Sequence, residues 1–288
     1  MFIKKSAILG CALLAAGLSS VYAADWSNTY IGYRYGSQFA EPFNNTDISK
    51  NIFNLNHVSG YKYGTNFFNV DMLISDSNDS PTTNGQPNKV SSAREVYVVY
   101  RHTLDLGKVT GKPETFKFGP VRGVGLTAGF DFNDKSGDGY QSKKHMLVAG
   151  PTIMLDVPGF LNVSLLELWE SNAPAGHPQR YSYDPHPMLN AAWGIPFSVG
   201  PLPLSFEGYA NFIAAKGKNE FGASTKPETN IDMQVMYDAS ALFSASKNTF
   251  KVGLEYQYWR NKFGNDHKGA AGAGAFAKTP MIRAEYHF

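Results

Sequence analysis

The sequence predicts an all-β protein: a twelve-stranded antiparallel transmembrane β-barrel. Three observations carry this. Segments of about ten residues with period-two alternation recur along the chain, as barrel strands with one lipid face and one lumen face require. The connections between them alternate between long and short. The last ten residues, Thr279 to Phe288, form an amphipathic strand ending on an aromatic ring. Its Ile282, Ala284, Tyr286 and Phe288 fall on one parity and Arg283, Glu285 and His287 on the other. Successive strand side chains point to opposite faces, so this segment has an apolar face and a charged one. Outer-membrane barrels commonly close on such a strand, and Phe288 is then expected to be its recognition mark for the barrel-assembly machinery.

Residues 1–23 read as a signal peptide and 24–288 as the barrel. Lys4 and Lys5 make a positive start, Ala7–Leu18 an apolar core, and Val21-Tyr22-Ala23 a cleavage site. A lipoprotein site at Cys11 is the weaker alternative, since it leaves too short an apolar core. Cys11 is the sole cysteine, so a mature chain has neither a disulfide framework nor a thiolate metal site. After cleavage 24 of the 26 basic residues remain against 24 acidic ones, a balance that argues against nucleic acid as a partner. No later stretch offers eighteen uninterrupted apolar residues, so no transmembrane helix is expected.

In order, the predicted strands are Thr29–Gly36, Asn51–Tyr61, Asn66–Ser75, Arg94–His102, Gly123–Phe132, Lys144–Leu155, Phe160–Trp169, Met188–Ile195, Leu202–Phe212, Asn230–Asp238, Thr249–Trp259 and Thr279–Phe288. The alternation is cleanest in Thr249–Trp259. It is weakest in Lys144–Leu155 and Phe160–Trp169, where both parities carry apolar residues. The odd-numbered connections are long and rich in Asn, Asp, Gly, Ser and Pro, as external loops should be; most even ones are short. Thr103–Arg122 breaks the rule at about twenty residues and leaves room for an extra hairpin.

In this register Arg34, Arg101 and Arg283 point inward. In the one-residue slip each would meet lipid, at a cost of about 2–4 kcal/mol near mid-membrane. Tyr33, Tyr35, Tyr61, Tyr63, Tyr256 and Tyr258 sit near strand ends and suit an interfacial aromatic girdle.

Twelve strands imply a lumen narrower than that of a general porin. The inward candidates for solute binding are Asp71, Glu95, Tyr97, Arg101, Glu207, Tyr209, Glu255, Trp259, Arg283 and Glu285. Rings with charges suit a small solute having a flat face and several hydroxyls. The bland alternative is that these charges neutralise one another and stiffen the barrel. Passage also requires contacts weak enough to release the solute.

Several segments, among them Asp25-Trp26-Ser27, Tyr33-Arg34-Tyr35-Gly36, Phe67-Phe68-Asn69-Val70-Asp71, Tyr97-Val98-Val99-Tyr100-Arg101, Phe206-Glu207-Gly208-Tyr209-Ala210-Asn211 and Tyr258-Trp259-Arg260-Asn261, resemble the Tsx-like family of nucleoside-specific outer-membrane channels. The resemblance implies a monomeric barrel in outer-membrane lipid that passively admits small solutes, nucleosides above all, and in some members receives phage. It carries no catalytic signature and no cofactor.

Other readings have weaker support. Asp134-Lys135-Ser136-Gly137-Asp138-Gly139 resembles the start of a calcium loop, but His145 stands where a bidentate Glu is needed. An outer-membrane lipid hydrolase needs a Ser–His pair with an orienting partner, and nothing local marks Ser205 or His57. A surface-attachment barrel, working through its loops, is the third alternative.

Overall fold

The structure, a computed structural model, describes residues 24–177 and 179–288. The predicted signal peptide and Cys11 lie outside the described residues. Twelve long strands make up the wall: β1 (Trp26–Phe39), β2 (Ile48–Tyr61), β3 (Gly64–Ser75), β4 (Arg94–Asp105), β5 (Val121–Ser136), β6 (His145–Leu155), β7 (Phe160–Asn172), β8 (His186–Val199), β9 (Leu202–Ile213), β10 (Glu228–Asp238), β11 (Phe250–Arg260) and β12 (Phe276–His287). Each pairs antiparallel with its sequence neighbours. β12 pairs back onto β1, with Ala284 opposite Tyr33, so the sheet closes on itself. Closure leaves no unpaired edge, which is the condition for strands to sit in lipid.

Eleven residues, the length of the shortest strands, suffice to cross a bilayer when tilted. The outer face is an apolar belt: Ile31, Phe53, Met72, Leu126, Leu147, Leu165, Leu189, Val235, Leu254 and Ile282 are all exposed. Tyr33 and Tyr35 join it, while Tyr61 and Tyr63 pack edge to face where β2 turns into β3. The protein is an outer-membrane β-barrel. Among the described residues no helix is long and apolar enough to cross a membrane.

The two rims differ. The five even connections gather at one, the turn rim, and two of them, β2–β3 and β8–β9, span only two residues. The turn between β6 and β7 depends on Gly159 at φ 76°, where a Cβ would also strike the Gly194 carbonyl. The long connection after β4 holds no extra hairpin. Both flanking strands run further than predicted, and Leu106–Thr110 forms a single helical turn. The Asp105 carboxylate accepts from the Lys108 N–H, and Gly111 closes the turn left-handed at φ 67°. The connection after β10 is also long, with a short 3-10 turn at Ser240–Phe243. The six odd connections form the opposite, loop rim.

The blurred alternation of β6 and β7 has a physical cause. Leu147, Ile153 and Leu165 face lipid, while Met146, Val148, Leu166 and Leu168 turn inward and pack with Met188 of β8. One wall of the lumen is therefore apolar, and both parities of those strands are hydrophobic.

Candidate functional site

The opposite wall is polar. Its hub is Glu255 on β11, which accepts from Arg34 Nη1 through Oε1 and from Arg283 Nη1 through Oε2, both at 2.8 Å. Arg34 and Arg283 are direct cross-strand partners, a like-charge pairing tolerable only with a carboxylate between them. Arg34 also holds Asp71 on β3 at 2.6 Å, and Arg283 holds Glu285 at 2.6 Å. Asn54 Nδ2 donates to Asp71 at 2.6 Å and the Tyr30 hydroxyl accepts from Arg283 Nη2 at 2.8 Å.

The belt continues sideways. Asp71 is the register partner of Tyr97, whose hydroxyl donates to Asp131 Oδ2 at 2.8 Å. Arg101 Nη1 meets the other oxygen of Asp131 at 2.5 Å. Charged and hydrogen-bonded side chains thus line the inner face from β11 across the seam to β5, with Asp71 and Tyr97 linked by register. Tyr209 on β9 lies within electrostatic reach of Arg34 and Asp71 and pairs in register with Asp232.

Of the ten predicted residues, Asp71, Tyr97, Arg101, Glu255, Arg283 and Glu285 come together in this belt, with Tyr209 beside it. Three lie apart. Glu207 sits toward the turn rim, accepting from Ser205 Oγ at 2.5 Å and from Gln234 and Lys251 at 3.2 Å. Glu95 and Trp259 sit toward the loop rim, where Glu95 accepts from Asn133 at 2.5 Å and the Trp259 indole donates to Glu228 at 3.0 Å.

Among the described residues, buried side-chain polar atoms without a hydrogen-bond partner in the chain include Arg34 Nε, Asn54 Oδ1, Asn162 Oδ1, His186 Nε2 and Asn230 Oδ1 on the inner face. An unmatched buried polar atom costs about 1–3 kcal/mol, a local cost of packing these side chains against the wall. Asn230 stands opposite Trp259 in register, which places an acceptor beside a ring.

At the loop rim, sequence reasoning found Glu95 and Trp259 but missed the lysines. Five lysines face inward there, each on a carboxylate. Lys50 and Lys135 meet Glu41 and Asp79; Lys262 meets Glu41; Lys144 and Lys216 meet Glu170 at 3.1 and 2.7 Å. Phe263, in the loop after β11, carries the Lys262 ammonium 5.1 Å from its ring centroid on one side of the barrel. The ammonium of Lys144, just before β6 and nearly diametrically opposite in strand order, is 5.0 Å from the same centroid. The loops therefore reach across the mouth. Parity offered a signal for the strand lysines, because Lys135 continues the inward series of Asp131 and Asn133. It offered none for Glu41, Lys216 and Lys262, which come from loops.

The calcium reading fails locally: Asp134, Lys135 and Ser136 lie within β5, and Lys135 pairs with Asp138 at 3.1 Å. Among the described residues no group of three metal-ligating side chains assembles. Ser205 donates to Glu207, and His57 hydrogen-bonds Thr29 at 2.7 Å on another strand.

No family model and no curated protein matches the chain. Solved structures give only distant likenesses. The KdgM porin is 12% identical, with a TM-score of 0.41, covering 90% of this chain and 99% of that one. The translocator domain of the autotransporter NalP from Neisseria meningitidis is 12% identical, with a TM-score of 0.43, covering 98% and 95%. OpdK with vanillate, from Pseudomonas aeruginosa, is 8% identical, with a TM-score of 0.28, covering 91% and 98%. Such likeness is too slight to transfer a function.

Proposed function

We propose that the protein is a passive outer-membrane channel for small solutes, with nucleosides the favoured class. The observation that carries this reading is the inward belt in which Asp71, Tyr97, Arg101, Glu255 and Arg283 come together, with Tyr209 beside it. A solute with hydroxyls and a ring nitrogen offers hydrogen-bond partners to these carboxylate, guanidinium and phenol groups, and its flat face suits Trp259, Tyr97 and Tyr209. Stacking of a base on an aromatic ring contributes about 1–3 kcal/mol, weak enough for release when few contacts act together. The resemblance of the strands to Tsx-like channels points to the same solutes.

At the loop rim the Phe263 ring, between Lys144 and Lys262, narrows the way in. Conductance of the purified protein in planar bilayers, titrated with nucleosides, sugars and amino acids, tests the reading. Block by nucleosides alone supports it; absence of any conductance under all conditions rejects it.

A further inference from the structure

Three ammonium groups from three separate elements converge on one oxygen atom. Glu41 Oε1 lies 2.8 Å from Lys50 Nζ of β2, 3.1 Å from Lys262 Nζ of the β11–β12 loop and 3.4 Å from Lys135 Nζ of β5. All three lysines are at least nine-tenths buried, and the Ala40 carbonyl completes the Lys262 contacts at 2.8 Å. Lysine is a strongly hydrated cation that is costly to bury, and three together are costlier still unless an anion sits among them. Glu41 supplies that anion from the β1–β2 connection, a segment outside the barrel ladder.

We infer that this lysine cage is a binding site for a carboxylate or phosphate group of a solute entering at the loop rim, and that Glu41 is its built-in stand-in. Other acids also face the cage. Asp79 touches Lys50 and Lys135 at 3.4 and 3.0 Å, Glu95 reaches Lys50 at 4.0 Å, and Asp138 reaches Lys135 at 3.1 Å. These remain when Glu41 leaves. Lys262 keeps the Ala40 carbonyl and the rings of Trp259 and Phe263 but loses its ion pair. Exchange of Glu41 for an external anionic oxygen conserves the local charge and frees the β1–β2 loop from Lys262, which also flanks Phe263. Entry of such a solute then loosens the segment that crosses the mouth. The significance for transport rests on the channel reading above; the binding itself does not.

Calorimetric titration of the folded barrel in detergent with pyrophosphate and with citrate tests the site. A tethered competitor lowers apparent affinity, so Glu41→Gln is expected to bind either anion about tenfold more tightly than the parent. Adding Lys262→Gln should remove that gain. A second measurement uses the unaltered protein: chymotrypsin cleavage after Phe43, half-exposed in the same loop. Pyrophosphate should speed this cleavage at constant ionic strength, whereas chloride should not. Equal affinities for parent and Glu41→Gln, or unchanged cleavage, overturn the proposal. Conductance without anion binding rejects the cage alone; anion binding without conductance rejects the channel alone.

Discussion

Arg34 on β1 and Glu255 on β11 meet at 2.8 Å across β12, so their ion pair straddles the seam where the first and last strands join. The Glu255 carboxylate separates two arginines that the register sets face to face.

Replacing Glu255 with Gln should therefore weaken the barrel more than an ordinary lumen substitution. Removing one partner of a buried ion pair costs up to about 3–5 kcal/mol, and here two facing guanidinium groups each lose one of their two carboxylates, Asp71 and Glu285 remaining. The urea midpoint in detergent should fall clearly, while Glu207→Gln, half-buried near the turn rim, should shift it little. Equal shifts would show that the seam is not held in this way.

The strand count and facing were legible in the sequence because lipid enforces them. An inward arginine cannot slip outward without a cost of about 2–4 kcal/mol, so period two persists through every lipid-crossing segment. Where the lumen wall is itself apolar, at Met146, Val148, Leu166 and Leu168, that contrast fades. The belt was half legible. Asp71, Tyr97 and Glu255 declare their side by parity, but no single strand reveals that Glu255 reaches two arginines. The loop-rim lysine cage was not legible, since it depends on where Glu41 and Lys262 fold back, and aperiodic segments carry no facing signal.

The lipid face gives a second prediction. Leu254 is 69% exposed at the middle of β11, next to the buried Glu255. Leu254→Arg should cost about 2–4 kcal/mol in lipid unfolding experiments. The same change at Ser27, exposed at the turn-rim end of β1, should cost little. Comparable losses at the two sites would argue that the belt is misplaced.

The loop latch should depend on pH in a defined direction. Burial alone would raise the Glu41 carboxyl, but Lys135, Lys262 and Lys50 outweigh it and hold the group well below its ordinary 4.5. A carboxyl depressed in the folded state contributes its full stability above the unfolded value and loses it as pH falls through the folded one. Pepsin cleavage of the β1–β2 loop should therefore stay slow near pH 4.5 and accelerate only well below it. Glu41→Gln should remove this pH step. Release at or above pH 4.5 in the parent would contradict the latch.

Phe263 sits at φ 59°, a left-handed conformation that costs a non-glycine residue about 1–3 kcal/mol and persists only where surrounding contacts enforce it. Those contacts are the two lysines, the edge of Trp259 at 4.8 Å and the bond from its own N–H to Glu228 at 3.0 Å. Phe263→Gly relieves the strain and removes the ring from the mouth. Single-channel conductance should rise in this variant without loss of barrel stability. Unchanged conductance would place the constriction elsewhere, at the belt.

Trp259 decides whether stacking contributes to solute recognition. Its indole N–H is engaged by Glu228 and its ring flanked by Lys262 at 4.9 Å, so the ring is held in place before any solute arrives. Asn230 Oδ1 beside it is an acceptor without a partner in the chain. A planar solute gains a stacking face that is already ordered. Trp259→Ala should weaken nucleoside block of conductance by about 1–3 kcal/mol, or roughly five- to 150-fold. Trp259→Phe, which keeps a stacking face and loses the bond to Glu228, should fall between parent and alanine. The barrel should stay folded throughout, because Trp259 lies beyond the arginine hub. Identical block in parent and alanine variants would remove the ring from the solute path and leave the belt of Asp71, Tyr97 and Tyr209 as the place where selection occurs.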